Sequence, residues 1–223
     1  MNASANRAPR WERRKESRPA ELLAAALDMF VDKGYAATRL DDVASRAGVS
    51  KGTLYLYYPS KEELFKAVVR ETIVPKIDAY RREVETSAAP TEQLLTNFFD
   101  AWWQHFGVTE LAGIIKLVVA EAGNFPEVAR FFQEEVVTPN DDLLRTIVQR
   151  GIDRGEFKPI DIDAAVHIWI APMVLKAIWM NSVEQVCPMR PDMTAERVLR
   201  AQVSMILDAI RARAGGTGKP PGH

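Results

Sequence analysis

The stretch 38–61, TRLDDVASRAGVSKGTLYLYYPSK, combines hydroxyl, phenol and ammonium groups in a pattern that suits binding of a polyanion. Its spacing predicts two short helices joined by a tight turn at Gly48, where glycine permits the positive φ of a sharp turn. The second helix would then lie in a major groove and direct donors towards phosphates or base edges. The residues displayed in this way are Ser50, Lys51, Gly52, Thr53, Tyr55 and Tyr57.

Residues that could support catalysis form no recognisable set. The three histidines, His105, His167 and His223, are scattered, and the sequence contains no HExxH, GxSxG, P-loop or dinucleotide-binding motif. The single cysteine, Cys187, lies beside Pro188 without a basic neighbour that would activate its thiol. We therefore expect no catalytic residues, no metal site and no cofactor.

The two short helices must pack closely if the second is to hold these side chains facing outwards. Ala44 has to be small because the second helix crosses above it, and Val43, Val49 and Leu54 should meet inside the angle between the helices. Any helical hairpin with a glycine turn could satisfy the same spacing. The exposed side of the second helix carries no acidic residue, which favours nucleic acid as its partner.

Helical periodicity covers the rest of the chain, and strand signals are poor, so the sequence predicts an all-α fold. An apolar stripe at 22–31 should end at Gly34, and Thr38 with Asp41 resembles a capping box for the helix at 40–47. Ser60 with Glu63 should cap a helix at 61–85 that Pro75 interrupts. Helices are also expected at 50–58, 91–106, 110–122, 126–154 with a break at Pro139, 161–185 and 194–214.

Composition sets further limits. The chain has 223 residues with 29 basic and 30 acidic side chains, and no uninterrupted apolar run long enough to predict a membrane span. The single cysteine suggests a cytoplasmic protein. Residues 1–60 carry ten basic and seven acidic side chains, and residues 61–223 carry nineteen basic and twenty-three acidic side chains. The near-zero net charge thus averages a mildly basic N-terminal part with an acidic body, which predicts weak non-specific DNA binding.

The N-terminal block ALDMFVDKGYAATRLDDVASRAGVSKGTLYLYYPSKEELF closely resembles the DNA-binding domain of TetR/AcrR-type transcriptional regulators. The resemblance covers about fifty residues and includes Phe30, Gly34-Tyr35, the AGVS turn and the GTLY and SKEEL segments. Beyond this block the chain is similar to the family only in length and helical pattern. Tyr58 stands where the family often has Phe, and we expect it to pack with the first helix and keep its hydroxyl at the surface.

The resemblance implies a role for each matching residue. Lys51, Gly52 and Thr53 would contact bases and adjacent phosphates at the start of the recognition helix. Tyr55, Tyr57 and Lys61 would hold the phosphate backbone, with Arg39 and Ser50 as further phosphate contacts. For Tyr55, a core aromatic role is the alternative.

The resemblance also implies an effector pocket in the C-terminal domain, and the aromatic residues there favour an apolar or aromatic ligand. Candidate lining residues, each of which could instead be plain core, are Phe99, Trp102, Trp103, Phe106, Trp169, Met173 and Trp179, with His105, Gln104 or Asn181 as polar contacts. The segment 161–185 is apolar on all sides and, with the stripe on 194–214, predicts a homodimer interface. Its expected members include Ile168, Leu175, Val198 and Met205.

We therefore predict five regions: a basic flexible arm at 1–18, a three-helix helix-turn-helix domain at 19–60, a connecting helix at 61–86, an effector-binding and dimerisation domain at 87–214, and a disordered tail at 215–223. The arm could place arginines in a minor groove or remain solvated. The function that best fits is a homodimeric repressor released from a palindromic DNA operator by a small apolar or aromatic effector. An activator of the same architecture, or a small-molecule binder or enzyme with a vestigial helix-turn-helix, stays open.

Overall fold

The computed structural model describes residues 10–187 and 193–212, with side chains described from residue 18 onwards. Within these ranges the fold is all-α, as predicted, and the β pairing consists of an isolated bridge between Phe157 and Arg211. The first helix begins at Arg10, so residues 10–18 of the predicted flexible arm are helical. Residues 1–9 and the predicted tail at 215–223 lie outside the described residues.

Five helices form the N-terminal part of the chain: α1 (Arg10–Ala37), α2 (Leu40–Arg46), α3 (Lys51–Tyr57), α4 (Lys61–Thr72) and α5 (Val74–Thr86). Gly34, at φ 80°, ends the regular part of α1 as the sequence predicts. The predicted interruption falls at Ile73, between α4 and α5, and Pro75 is the second residue of α5. Proline breaks the helix there because it has no amide hydrogen and its ring crowds the preceding turn.

Capping residues set two of these helix starts. The hydroxyl of Ser50 accepts a hydrogen bond from the amide of Thr53 at 3.1 Å, and Ser60 accepts from Glu63 at the same distance. The capping box predicted for Thr38 and Asp41 is wrong. The Thr38 hydroxyl is buried and donates to the carbonyl oxygens of Gly34 and Met29, and the cap position of α2 is Arg39. Thr38 therefore closes the end of α1 instead of opening α2.

Six helices follow: α6 (Thr91–Trp102), α7 (Leu111–Glu121), α8 (Pro126–Phe132), α9 (Thr138–Asp153), α10 (Ile162–Met180) and α11 (Ala195–Ile210). Two short π-helical segments, Trp103–Gly107 and Gln133–Val137, extend α6 and join α8 to α9. The second segment accounts for the break expected near Pro139. Asp161 and Thr194 cap α10 and α11 with their side chains.

The described residues form two compact units. The first comprises residues up to Pro75 together with Gly113–Glu135, so that α8 and most of α7 pack in the same unit as the helix-turn-helix. Aromatic rings make its core, where Phe65 meets Phe30, Tyr35 and Phe131 edge to face. The sequence had placed 113–135 in the C-terminal domain because its pattern gives no sign of which core it joins.

The second unit comprises Lys76–Ala112 and the residues from Val136 onwards. Its core includes the fully buried side chains of Phe98, Phe99 and Trp103. Arg150 on α9 fixes the segment 87–90 between α5 and α6, since its guanidinium donates to the carbonyl oxygens of Val84, Ser87 and Ala89. The bond to Val84 satisfies a carbonyl in the last turn of α5 that a helix terminus would otherwise leave unpaired.

Candidate functional site

The predicted helix-turn-helix is formed by α2 and α3. Gly48, at φ 64°, makes the turn, and the amide of Val49 donates to the carbonyl oxygen of Ala44 at 3.0 Å. Val43, Ala44 and Leu54 are buried between the helices, and Val49 is half-buried. This packing holds α3 as a short rigid element with one side facing outwards.

Most of the predicted DNA-binding residues share the outward side of α3. Ser50, Lys51, Gly52 and Tyr55 are exposed, while Thr53 and Tyr57 are half-buried. The hydroxyls of Ser50 and Thr53 lie 2.8 Å apart, and the ammonium of Lys51 lies 5.7 Å from the centre of the Tyr55 ring. The exposure of Tyr55 removes the alternative of a core aromatic. This side of α3 therefore carries the ammonium of Lys51 and the hydroxyls of Ser50, Thr53 and Tyr55.

Lys51 also has an acidic partner that the sequence analysis missed. Its ammonium donates to a carboxylate oxygen of Asp41 on α2 at 2.8 Å. This hydrogen bond and the charge of Asp41 raise the pKa of Lys51, while the nearby guanidinium of exposed Arg39 acts in the opposite direction. Because the pair is exposed, Lys51 can exchange Asp41 for a phosphate at small cost.

The ring of Tyr57 lies against that of Tyr58, with 6.3 Å between their centres. Tyr58 is half-buried, and burial raises the pKa of its phenol above the ordinary value. The phenol therefore stays protonated at neutral pH and keeps its capacity to donate. Tyr57 projects from the last turn of α3, beyond the cluster around Lys51.

Lys61 lies apart from that cluster in the structure. Its ammonium donates to the carbonyl oxygens of Tyr35 at 2.7 Å and Ala36 at 3.0 Å, at the end of α1. It also lies 4.6 Å from the centre of the Tyr35 ring and 5.8 Å from that of Phe125. Burial lowers the pKa of Lys61, and the charge of Glu121 partly offsets this effect. Two of the three ammonium hydrogens are thus used inside the protein.

The aromatic residues predicted to line an effector pocket have different environments. Trp102 and Phe106 line a cavity of about 20 Å³, together with the polar candidate His105. The other lining residues, which sequence reasoning missed, are Lys76, Ile77, Tyr80, Phe98, Ala101, Asn140 and Leu143. Tyr80 stands out because its hydroxyl donates to the carbonyl oxygen of Leu94 at 2.8 Å and its ring contacts Phe98.

The remaining candidates are distributed over the core and the surface of the second unit. Phe99, Trp103 and Met173 are buried, and the indole nitrogen of Trp103 has no hydrogen-bond acceptor among the described residues. Trp169 is half-buried, and Trp179 is exposed. Of the three proposed polar contacts, Gln104 and Asn181 do not line this cavity; Gln104 is exposed, and the Asn181 amide donates to the carbonyl oxygen of Ala177.

The predicted dimer interface is an exposed apolar surface on α10 and α11. Ile168, Leu175 and Met205 are 67%, 63% and 73% exposed, and Val198 is half-buried. A groove of about 660 Å³ runs along this surface between Ile168, Pro172 and Met205. By length and composition alone, the segment Ile162–Gln185 could also cross a membrane.

Comparison with known proteins identifies both halves of the chain. The family described as bacterial regulatory proteins, tetR family, matches residues 22–68, and the family described as tetracyclin repressor-like, C-terminal domain, matches residues 90–185. The HTH-type transcriptional regulator RutR of Escherichia coli K12 is 38% identical over 211 residues, which cover 86% of this chain and 90% of RutR.

Two further proteins resemble the chain over most of its length. The HTH-type transcriptional repressor KstR2 of Mycolicibacterium smegmatis is 28% identical over 93% of this chain and 98% of KstR2. Among solved structures, the transcriptional regulator FadR from Bacillus subtilis in complex with stearoyl-CoA has a TM-score of 0.68. That match covers 85% of this chain and 95% of FadR, and at 19% identity it shows a shared fold.

Proposed function

Since the chain belongs to the TetR family and is a DNA-binding transcriptional regulator, we propose that it is a homodimeric repressor that leaves a palindromic operator when a small apolar effector binds. The observation that carries the DNA part of this proposal is the outward side of α3. It displays Lys51, Thr53 and Tyr55, and the segment 50–58 contains no acidic residue. Such a surface can enter a major groove without repulsion from phosphates.

We assign the contacts of this surface by reach and chemistry. Lys51 and Thr53 lie on the first turn of α3, where a recognition helix meets base edges, and the missing side chain of Gly52 lets the backbone come close. Ser50, Tyr55, Tyr57 and Arg39 supply donors for phosphates around that turn. Lys61 would use its remaining ammonium hydrogen for a phosphate while it holds the end of α1.

The dimer would form through α10 and α11. Large apolar side chains on both helices, Ile168 and Met205 among them, are exposed in the single chain, and their burial against a second copy would remove this area from water. A two-fold dimer would present two α3 helices to half-sites about 34 Å apart and would therefore require a palindromic operator. The same burial would account for the apolar composition of α10.

The effector site that we propose is the cavity beside Trp102. Tyr80, Phe98 and Phe106 make its walls apolar and aromatic, and His105 and Asn140 offer polar contacts. At about 20 Å³ it holds roughly one water molecule, so an effector must separate α5 from α6 to enter. Effector binding would favour a second conformation of the dimer that has lower affinity for the operator. The loss of operator affinity can be no larger than the ratio of the effector's affinities for the two conformations.

Selection of duplexes from a random-sequence library tests the DNA part of the proposal. We expect the wild-type protein to enrich a palindrome and to bind it with an affinity that falls steeply with salt. Lys51→Ala should weaken binding and make the salt dependence shallower, whereas Lys158→Ala, the same charge change at an exposed site of the second unit, should have little effect. Enrichment of no sequence would refute the proposal.

A thermal-shift screen of small aromatic and aliphatic compounds tests the effector part. Compounds that bind should raise Tm and release the selected duplex. Ala101→Leu adds three heavy atoms beside the cavity and should abolish both effects without changing operator affinity. Release that persists in this variant would place the effector elsewhere.

A further inference from the structure

The recognition helix carries an apolar side chain that its packing does not need. Leu56 is 86% exposed, whereas Leu54, two residues earlier on the opposite side of α3, is fully buried. A residue two positions from a buried one on a helix cannot share its face, so Leu56 lies on the outward side with the DNA-binding candidates. Leu56 is therefore accessible to whatever the outward side of α3 binds, and its burial there would be favourable.

The neighbour of Leu56 one turn earlier is Gly52, which has no side chain. A Cβ placed on Gly52 would have only the Ser50 hydroxyl near it, at 3.9 Å. Helical side chains lean towards the N-terminus, so Leu56 inclines over this open turn. Gly52 and Leu56 thus form an uncharged, accessible strip that we call the apolar strip.

The apolar strip runs beside polar groups that suit phosphates. On one side lie Lys51 and Tyr55, spaced four residues apart like Gly52 and Leu56, with the Lys51 ammonium over the Tyr55 ring. Cationic and hydroxyl groups on the same helix face select a nucleic acid as the occupant rather than an apolar protein surface. The group that meets Leu56 must therefore be an apolar group of DNA.

We propose that Leu56 reads a thymine methyl group in the operator. Among the four bases, thymine presents an apolar group, its C5 methyl, in the major groove. Apolar side chains recognise this methyl group by contact. This inference rests on the proposed binding of DNA by α3. It makes Leu56 a specificity-determining residue, with Gly52 allowing the backbone to approach the same base.

The test uses the duplex that wild-type protein selects from a random library, resynthesised with deoxyuridine in place of one thymidine at a time. Deoxyuridine keeps all base-pair hydrogen bonds and removes only the methyl group. At one position in each half-site, wild-type affinity should fall by about three- to fivefold, the factor expected for one buried methyl group. Leu56→Ala should bind the thymidine duplex more weakly and show no further loss at that position.

The controls separate this role from stability and from general DNA binding. Leu56→Ala should leave Tm unchanged because the side chain is exposed, and Leu56→Met should retain the discrimination. Val186→Ala removes an equally exposed apolar side chain far along the sequence and should change nothing. Discrimination by Leu56→Ala equal to wild type, or wild-type binding that ignores every deoxyuridine, overturns the inference but not the proposed function. Failure to select any duplex overturns the proposed function itself.

Discussion

The ammonium group of Lys61 donates to the carbonyl oxygen of Tyr35 at 2.7 Å, joining the first residue of α4 to the end of α1. Tyr35 comes directly after the kink at Gly34, at the end of α1. Carbonyl oxygens at a helix end have no amide of the same helix to accept from, so Lys61 supplies the donor. The same ammonium lies over the Tyr35 ring, and burial raises the pKa of the Tyr35 phenol to about 12. A residue expected to hold DNA therefore also holds together the helices that support the helix-turn-helix.

Replacing Lys61 by Met should affect both stability and DNA binding. The variant keeps the aliphatic stem but loses two hydrogen bonds from a charged donor, so we expect the free energy of unfolding to fall by about 2 kcal/mol. If the third hydrogen meets a phosphate, the slope of log affinity against log salt should decrease by about one per subunit. Denaturant unfolding and a salt titration measure the two effects. A lower stability with an unchanged slope would assign Lys61 a purely structural role.

Asp41→Asn should strengthen non-specific DNA binding. The substitution removes the carboxylate that pairs with Lys51 at 2.8 Å and frees a cation on the outward side of α3. We expect affinity for a random duplex to rise by about two- to fivefold and to depend more steeply on salt. Fluorescence anisotropy at several salt concentrations measures this change. Asp100→Asn makes the same charge change in the second unit and serves as the control; an equal rise there would mean that net charge alone is responsible.

Ile168→Glu should prevent dimer formation. Ile168 is exposed in the single chain, so the variant should fold, but a carboxylate in the interface would be buried without a partner. We expect sedimentation to show monomers and operator affinity to fall on the order of a hundredfold, because the two half-sites no longer bind as a unit. Val119→Glu introduces the same charge at another exposed apolar position, on α7, and should remain dimeric. A dimeric Ile168→Glu protein would exclude this surface as the interface.

Asp141→Asn should stabilise the protein at neutral pH. Asp141 is buried on α9, and burial raises its pKa, although the charges of Arg145 and His167 partly offset this effect. Because its pKa is higher in the folded than in the unfolded chain, ionisation of the wild-type carboxyl destabilises the fold, and this cost is complete above the folded pKa.

We therefore expect Asp141→Asn to raise Tm by a few degrees at pH 7, corresponding to about 1 kcal/mol. The gain should shrink as pH falls and the wild-type carboxyl becomes protonated. Melting curves between pH 4 and pH 7.5 would follow this change, with exposed Asp153→Asn as the control. A gain that does not depend on pH would point to a packing effect instead of the charge.

The sequence by itself determined the features that depend on neighbouring residues. The cap at Ser60, the turn at Gly48, the interruption at Pro75 and the exposed donors of α3 follow from local spacing and backbone chemistry. The apolar character of α10 was equally visible, because a helix without a polar side needs partners around it. These local rules are enough for the fold class and for the position of the helix-turn-helix.

The tertiary structure decided which distant residues meet. The hydroxyl of Thr38 turns back to α1, Asp41 reaches Lys51, and Lys61 bonds to Tyr35 across 26 positions of sequence. The tertiary structure also brings Tyr80 beside Trp102 at the cavity and leaves Phe99 in the core. Such contacts depend on how whole helices pack, and a helical pattern reveals which face of each helix is apolar but not which helix covers it.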